Sequence, residues 1–310
     1  CEVKPKVVVI CITCVDALLG TDLERVCRKA EERTGIHVVP TYMYALMREG
    51  KNPPMVAVRE AIYSLLEKRK PTGGTVNLLG NFTHLEDDSD LYDILGQMGI
   101  KTIHEVGRKE TLEEYMEMGG ADFNIILHPE ARKAAFTLDI PYIELTRVYE
   151  IDRIQRQFAL FASALGVEID DSEYFREASD ACLRLQQLCE GKTFAIGQVV
   201  NGNSIEMALA LEKLGLRVKS VFANISEDDF PFIRELASYN PGLKVYSTMS
   251  PTMMNYDGSE KVDISIGIDA QFYYPESINV HWNNEIQPFG YKGLVHFVEA
   301  IERRLADERA

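Results

Sequence analysis

Short apolar segments with strand character alternate with helical segments along nearly all of the 310 residues. This alternation is typical of consecutive βαβ units, in which parallel strands form a sheet and helices cover its faces. The first apolar strand is expected at residues 7–14, and Pro, Thr and two Gly at residues 71–74 mark a clear break. We therefore predict an α/β protein of three stacked, Rossmann-like, doubly wound parallel-sheet domains.

Two breaks in the pattern set the expected domain boundaries. Residues 1–72 form the first predicted domain, 73–170 the second, and 171–310 the third, which ends in a closing C-terminal helix. Further strands are expected at residues 36–39, 76–79, 101–106, 123–127, 142–145, 194–200, 218–222, 244–247 and 264–268. Helices are expected near residues 22–33, 55–68, 149–165, 172–188, 204–214, 228–238 and 293–306.

The charge of the chain limits its partners. A formal net charge of -15 repels nucleic acid and anionic membranes, so neither is an expected partner. No apolar run approaches the length that crosses a bilayer, and the first residues do not have the pattern of a secretory signal. We expect a cytoplasmic protein.

Six cysteines are too few for a dense disulfide framework, and in the cytoplasm they stay reduced. Cys11 and Cys14 form a C-x-x-C pair, but alternation along a strand places them on opposite faces unless the strand ends between them. We expect Cys11 in the core and Cys14 at the strand end, as a metal ligand or as a small buried side chain. Cys27, Cys182 and Cys189 are expected to pack within helices.

The turn after Cys14 has the pattern of a helix start. Thr21 and Glu24 have the spacing of a capping box, and Asp22 suits the positive end of a helix dipole. Ligands of open parallel sheets bind where strands end and helices begin. The thiol of Cys14 is therefore expected at a position open to chemistry.

This arrangement, Thr13-Cys14 followed by Leu19-Gly20-Thr21-Asp22-Leu23, resembles the nitrogenase component 1 family. Residues 75–81, 95–101, 280–282 and 290–293 resemble later family segments in the same order. In that family a cysteine at the position of Cys14 ligates an iron-sulfur cluster near a subunit interface, and the turn with Gly20 and Asp22 follows it. Thr21 replaces an acidic residue of the family turn.

The resemblance implies an oxidoreductase subunit. It would pair with a second component 1-like subunit or with itself as a dimer, receive electrons from an ATP-dependent iron-sulfur reductase, and act on a substrate between domains. A further metallocofactor or a tetrapyrrole substrate is also implied. The family has additional cluster-binding cysteines before this strand, so we expect a divergent or N-terminally shortened member.

Three other functions remain open at the level of sequence. A scaffold for metallocluster assembly shares the fold and the cluster, whereas a cluster-free ligand-binding or regulatory module shares only the fold. A sugar-nucleotide transferase also fits the βαβ pattern, although no diphosphate-binding motif favours it. Labile, transferable metal distinguishes the scaffold from a reductase.

Two histidines match family cofactor positions. His128 stands where nitrogenases have the cysteine that anchors the catalytic cofactor, and His281 matches their cofactor-ligating histidine. We expect both at strand ends as pocket residues of a shared cleft, with a hydrogen-bonded loop histidine as the alternative for each. Residues 197–204 could present backbone N–H groups to an anion, and Glu86, Asp87 and Asp88 are expected in a solvated loop.

Overall fold

The computed structural model describes residues 4–43, 53–258 and 260–308. The chain divides into two compact units. Unit 1 combines Cys1–His84 with Gly99–Thr146, and unit 2 combines Leu85–Met98 with Arg147–Ala310. None of the helices in the described ranges is long and apolar enough to cross a membrane.

All strand pairs among the described residues are parallel. The strands are β1 (Val7–Ile12), β2 (His37–Tyr42), β3 (Thr75–Leu79), β4 (Thr102–Glu105), β5 (Phe123–Ile126), β6 (Tyr142–Glu144), β7 (Thr193–Ile196), β8 (Arg217–Phe222), β9 (Lys244–Tyr246), β10 (Ile264–Ile266) and β11 (Ile278–Val280). They form three sheets, with the orders β1-β2, β4-β3-β5-β6 and β11-β10-β7-β8-β9. The prediction of a parallel α/β fold with Rossmann-like sheets is confirmed.

Helices follow most of the strands. They are α1 (Cys14–Leu18), α2 (Leu23–Thr34), α3 (Pro54–Tyr63), α4 (Asp90–Gln97), α5 (Leu112–Met116), α6 (Arg132–Thr137), α7 (Ile151–Leu165), α8 (Ser172–Leu188), α9 (Ser204–Lys213), α10 (Phe230–Tyr239), α11 (Ile268–Tyr273) and α12 (Gly290–Asp307). Short 3-10 turns connect several of these elements. The predicted bounds of the helix at 172–188 agree with α8, whereas the helix predicted at 55–68 ends earlier, at Tyr63.

The central strands carry the core of each larger sheet. Every residue of β3 is buried, as expected for a parallel strand covered on both faces. In β7 all but the first residue are buried. Because these strands are covered on both sides, only their ends are available for function.

Both larger sheets have a topological switch point beside the central strand. From β3 the chain continues to β4 on one side, and β5 then pairs on the other side. From β7 it continues to β8 and β9, and β10 then pairs on the opposite side. Ligands of open parallel sheets bind at the carboxyl ends of strands at such points, so these two places are candidate sites.

Candidate functional site

The strand that carries the thiols is shorter than predicted. β1 ends at Ile12, and α1 begins at Cys14 because the Asp16 carboxylate accepts a hydrogen bond of 3.2 Å from the N–H of Thr13. Cys11 is exposed and Cys14 is half-buried. The prediction that Cys11 lies in the core is therefore wrong, and both thiols are accessible.

The turn after α1 is held by Gly20 and Asp22. Gly20 has a left-handed backbone (φ +68°), which favours glycine. Asp22 Oδ1 accepts a 3.0 Å hydrogen bond from the N–H of Arg25, so Asp22 is the N-cap of α2. The predicted capping box of Thr21 and Glu24 is wrong, because Glu24 instead accepts a hydrogen bond from the Tyr42 hydroxyl.

The other described thiols are unsuited to metal binding. Cys27, Cys182 and Cys189 are buried, in agreement with their predicted packing role. Burial raises the pKa of Cys182 and of Cys189 to about 11, which disfavours the thiolate that a metal requires. Cys11 and Cys14 thus offer at most two of the four ligands that a four-iron cluster needs, so this part of the chain fits a shared cluster only.

Exposed apolar side chains follow Cys14 in the chain. Val15, Leu18 and Leu19 are 64%, 77% and 76% exposed, although all three lie in or next to α1. Exposed apolar side chains that lie together mark interaction surfaces. Cys14 therefore lies beside a surface suited to contact with another protein.

In unit 1, the switch point brings Gly80 and His128 together. Gly80 follows β3 with φ +119°, and a Cβ placed there would lie 2.7 Å from the Cβ of His128. His128 Nδ1 accepts a 3.3 Å hydrogen bond from the N–H of Glu130. The neutral ring accordingly has its proton on Nε2.

A buried arginine braces this switch point. Arg59 donates from Nε to the carbonyl of Gly80 at 2.7 Å and from Nη1 to the carboxylate of Glu130 at 2.6 Å, and its guanidinium lies 4.7 Å from the centre of the Phe82 ring. Burial lowers the pKa of Arg59 and raises that of Glu130. Sequence reasoning missed Arg59, because its partners lie 21 and 71 residues away.

In unit 2, the corresponding switch point is filled by a carboxylate. Asp269 accepts hydrogen bonds from the N–H groups of Gln198 at 2.7 Å and Val199 at 3.0 Å. A Cβ on Gly197 would lie 2.1 Å from Asp269 Oδ1. The expectation that these N–H groups are open to an external anion is therefore wrong, because the chain supplies the acceptor.

His281 directly follows β11 and is exposed, so its predicted place after a strand is confirmed. Its Nε2 lies 3.3 Å from Oε1 of Gln271, on α11. His281 belongs to unit 2 and His128 to unit 1. Their shared cleft stays a prediction.

One further cluster of possible ligands was missed by sequence reasoning. His296 on α12 contacts Glu86 through Nδ1 at 2.7 Å and Asp88 through Nε2 at 3.1 Å. The hydrogen bond to Glu86 raises the pKa of His296, with further contributions from Asp88 and Glu299. When the ring is protonated, it donates to a carboxylate on each nitrogen and offers no lone pair to a metal, whereas the neutral ring keeps one.

Parallel sheets with helices on their faces define a Rossmann-like α/β protein. The chain belongs to the nitrogenase component 1 type oxidoreductase family, whose sequence profile matches residues 2–306. Its fold is similar to that of a solved structure described as nitrogenase Cp1 at pH 6.5. That match has a TM-score of 0.71 and 19% identity, and it covers 98% of this chain and 76% of the other.

Curated relatives include proteins of cofactor assembly and a nitrogenase subunit. The nitrogenase iron-molybdenum cofactor biosynthesis protein NifE of Nostoc sp. is 26% identical over 53% of this chain and 35% of its own length. NifE of Sinorhizobium fredii is 23% identical over 96% of this chain and 65% of its own length. The nitrogenase molybdenum-iron protein alpha chain of Methanosarcina barkeri is 28% identical over 32% of this chain and 19% of its own length. The chain thus spans less than two thirds of each of these relatives.

Proposed function

We propose that this chain is a metallocluster scaffold subunit that holds an iron-sulfur cluster at a subunit interface and passes metal to another protein. Cys14 is the proposed ligand, with Cys11 as a second accessible thiol, and the turn held by Gly20 and Asp22 fixes the backbone beside it. The partner is a second component 1-like subunit or a second copy of the chain. The observation that carries the proposal is the accessibility of these two thiols, in contrast to the three buried ones.

The donor set explains why an interface is needed. Soft thiolates suit iron, and a four-iron cluster takes four of them, whereas the described residues offer two. The exposed apolar side chains of Val15, Leu18 and Leu19 suit a contact that brings the remaining ligands from elsewhere. A cluster bound by the accessible thiols Cys11 and Cys14 would also be accessible for transfer to another protein.

The relatives named NifE support assembly over turnover. A second candidate is the reductase subunit, which receives electrons from an ATP-dependent iron-sulfur reductase and reduces a substrate such as a tetrapyrrole. The similarity to a nitrogenase alpha chain favours this candidate, with His281 and His128 as its pocket residues.

The first experiment measures iron and acid-labile sulfide per chain after purification without oxygen. We expect cluster iron in the wild type and its loss in Cys14→Ala, because the thiolate is the ligand. Cys182→Ala is the matched control, since it also removes a thiol but from a buried helix position. Equal iron in the wild type and Cys14→Ala, or none in the wild type, overturns the proposal.

A second experiment separates assembly from turnover. The loaded protein is mixed with a cluster-free acceptor protein, and iron is followed in each after separation. Transfer within minutes supports the scaffold. Retained iron, together with oxidation of an added iron-sulfur reductase that depends on ATP, supports the reductase subunit instead.

A further inference from the structure

The turn after β7 is shaped around a carboxylate. Asp269, on α11, places Oδ2 2.7 Å from the N–H of Gln198 and Oδ1 3.0 Å from the N–H of Val199. A side chain at Gly197 would overlap Asp269 Oδ1, and Gly267 has φ +96° with Val200 and Asp269 within about 3 Å of where its Cβ would lie. Two glycines thus make room for one carboxylate.

Consecutive backbone N–H groups that point to one place form an anion-binding concavity. In doubly wound folds, a turn of this kind at the switch point is where phosphate groups of ligands bind. Here the turn lies between β7 and β10, at the switch point of the five-stranded sheet. Its geometry suits an anion, and the anion present is part of the chain.

We propose that Asp269 is an internal ligand that closes this switch point to phosphate-bearing molecules. The carboxylate takes the two N–H donors that a phosphate would need, and its negative charge repels an approaching anion. Asp269 is thus a specificity-determining residue, and the ligand admitted at this edge is one without a phosphate group there. The proposal does not depend on cluster binding at Cys14.

The side chains that follow the strands of this sheet are consistent with the exclusion of phosphate. Val199, Ile225, Met249 and Ile268 each follow a different strand of the sheet and are exposed. Gln198 and Asn224 add uncharged polar groups, and the side chains of both already accept hydrogen bonds from Thr248. No arginine or lysine directly follows any of these strand ends to attract a phosphate.

The test removes the carboxylate of Asp269 and adds an external anion. Asp269→Gly leaves the N–H groups of Gln198 and Val199 without their acceptor and leaves space for a small anion. The amide resonances of these two residues are followed by NMR during titration with inorganic phosphate, and separately with formate, at constant ionic strength. These resonances report on the turn itself, whatever the effect on global stability.

Asp263→Gly is the matched control, because Asp263 also accepts from a backbone N–H, that of Thr193 at 2.7 Å, but at the amino end of β7. We expect saturable shifts at Gln198 and Val199 in Asp269→Gly, because the added anion then accepts from the two freed N–H groups. The wild type and Asp263→Gly should show no saturable shift at these amides.

Two results would overturn the proposal. One is a folded Asp269→Gly protein without saturable shifts at Gln198 and Val199, because the turn then binds no anion. The other is the same phosphate binding in the wild type, because Asp269 then excludes nothing. If Asp269→Gly does not fold, Asp269→Ser replaces it, since the serine side chain is uncharged and smaller, and the same two results decide.

Discussion

At both switch points a glycine follows the central strand of the sheet, but different groups lie beside the two glycines. Gly80 follows the central strand of the four-stranded sheet, and Gly197 follows that of the five-stranded sheet. Beside Gly80 lies the backbone of His128, with the charges of Arg59 and Glu130 paired to each other. Beside Gly197 lies a lone carboxylate, Asp269, bound to backbone N–H groups.

This difference extends to other carboxylates of unit 2. Glu206 accepts from the N–H groups of Tyr149 and Glu150, and Asp90 accepts from those of Tyr291 and Lys292. Glu206 and Asp90 of unit 2 are thus bound by backbone N–H groups, as Asp269 is, whereas the switch point of unit 1 relies on a buried ion pair. The two arrangements differ in how they respond to mutation and to pH.

The largest effect is expected from breaking the ion pair of unit 1. Glu130→Ala leaves the Arg59 guanidinium buried without its carboxylate, which should cost about 4 kcal/mol in the free energy of unfolding. Glu60→Ala is the control, because Glu60 pairs with Lys133 nearer the surface and should cost about 1 kcal/mol or less. Urea unfolding measures both, and equal losses would contradict a special role of the buried pair.

A methyl group added at Gly80 or at Gly197 tests how tightly the neighbouring groups pack against each glycine. Gly80→Ala should cost about 3 kcal/mol, because its Cβ meets the backbone of His128 and its φ is +119°. Gly197→Ala meets only the Asp269 side chain, which can move, so we expect about 1 to 2 kcal/mol. Thermal unfolding measures the loss of stability in the two variants. A larger loss in Gly197→Ala than in Gly80→Ala would contradict the expected order.

The buried carboxylates of unit 2 should make its stability depend on pH. Burial raises the pKa of Glu206 to about 7, although the two backbone N–H donors lower it. The folded state then binds the proton more tightly than the unfolded state, so stability falls as pH rises from about 4.5 to about 7. In Glu206→Gln, the free energy of unfolding should fall by about 2 to 3 kcal/mol less between pH 4.5 and pH 7 than in the wild type. Unfolding measured as a function of pH tests this. An unchanged pH profile in the variant would contradict the assignment.

The elements of the fold follow closely from sequence, but the site does not. The helix predicted at residues 172–188 has the bounds of α8, and the strand predicted at residues 76–79 lies within the buried strand β3. The run at residues 7–14 misled, because one local hydrogen bond, from Thr13 to Asp16, starts a helix inside it. The spacing of Thr13 and Asp16 is itself a local signal of a helix start, which the apolar run obscures.

The contacts that shape the switch points join residues far apart in the chain. Asp269 meets its partners across about 70 residues, and Glu130 meets Arg59 across 71. Nothing in the sequence near Gly197 shows that its turn already has an acceptor. The division into three domains and the catalytic roles of His128 and His281 stay predictions.

The smallest effect is expected at the ion-pair cluster of His296, which lies at neither switch point. Its pKa is raised, mainly by the hydrogen bond to Glu86, so its stabilisation is complete below about pH 6.5 and is lost as pH rises through the higher folded pKa. His296→Gln should cost about 1 kcal/mol at pH 6 and progressively less at higher pH. His37→Gln is the control, because His37 forms an exposed pair with Glu31 in unit 1. A loss in His296→Gln that stays constant with pH would mean that the ring stabilises unit 2 by packing rather than by charge.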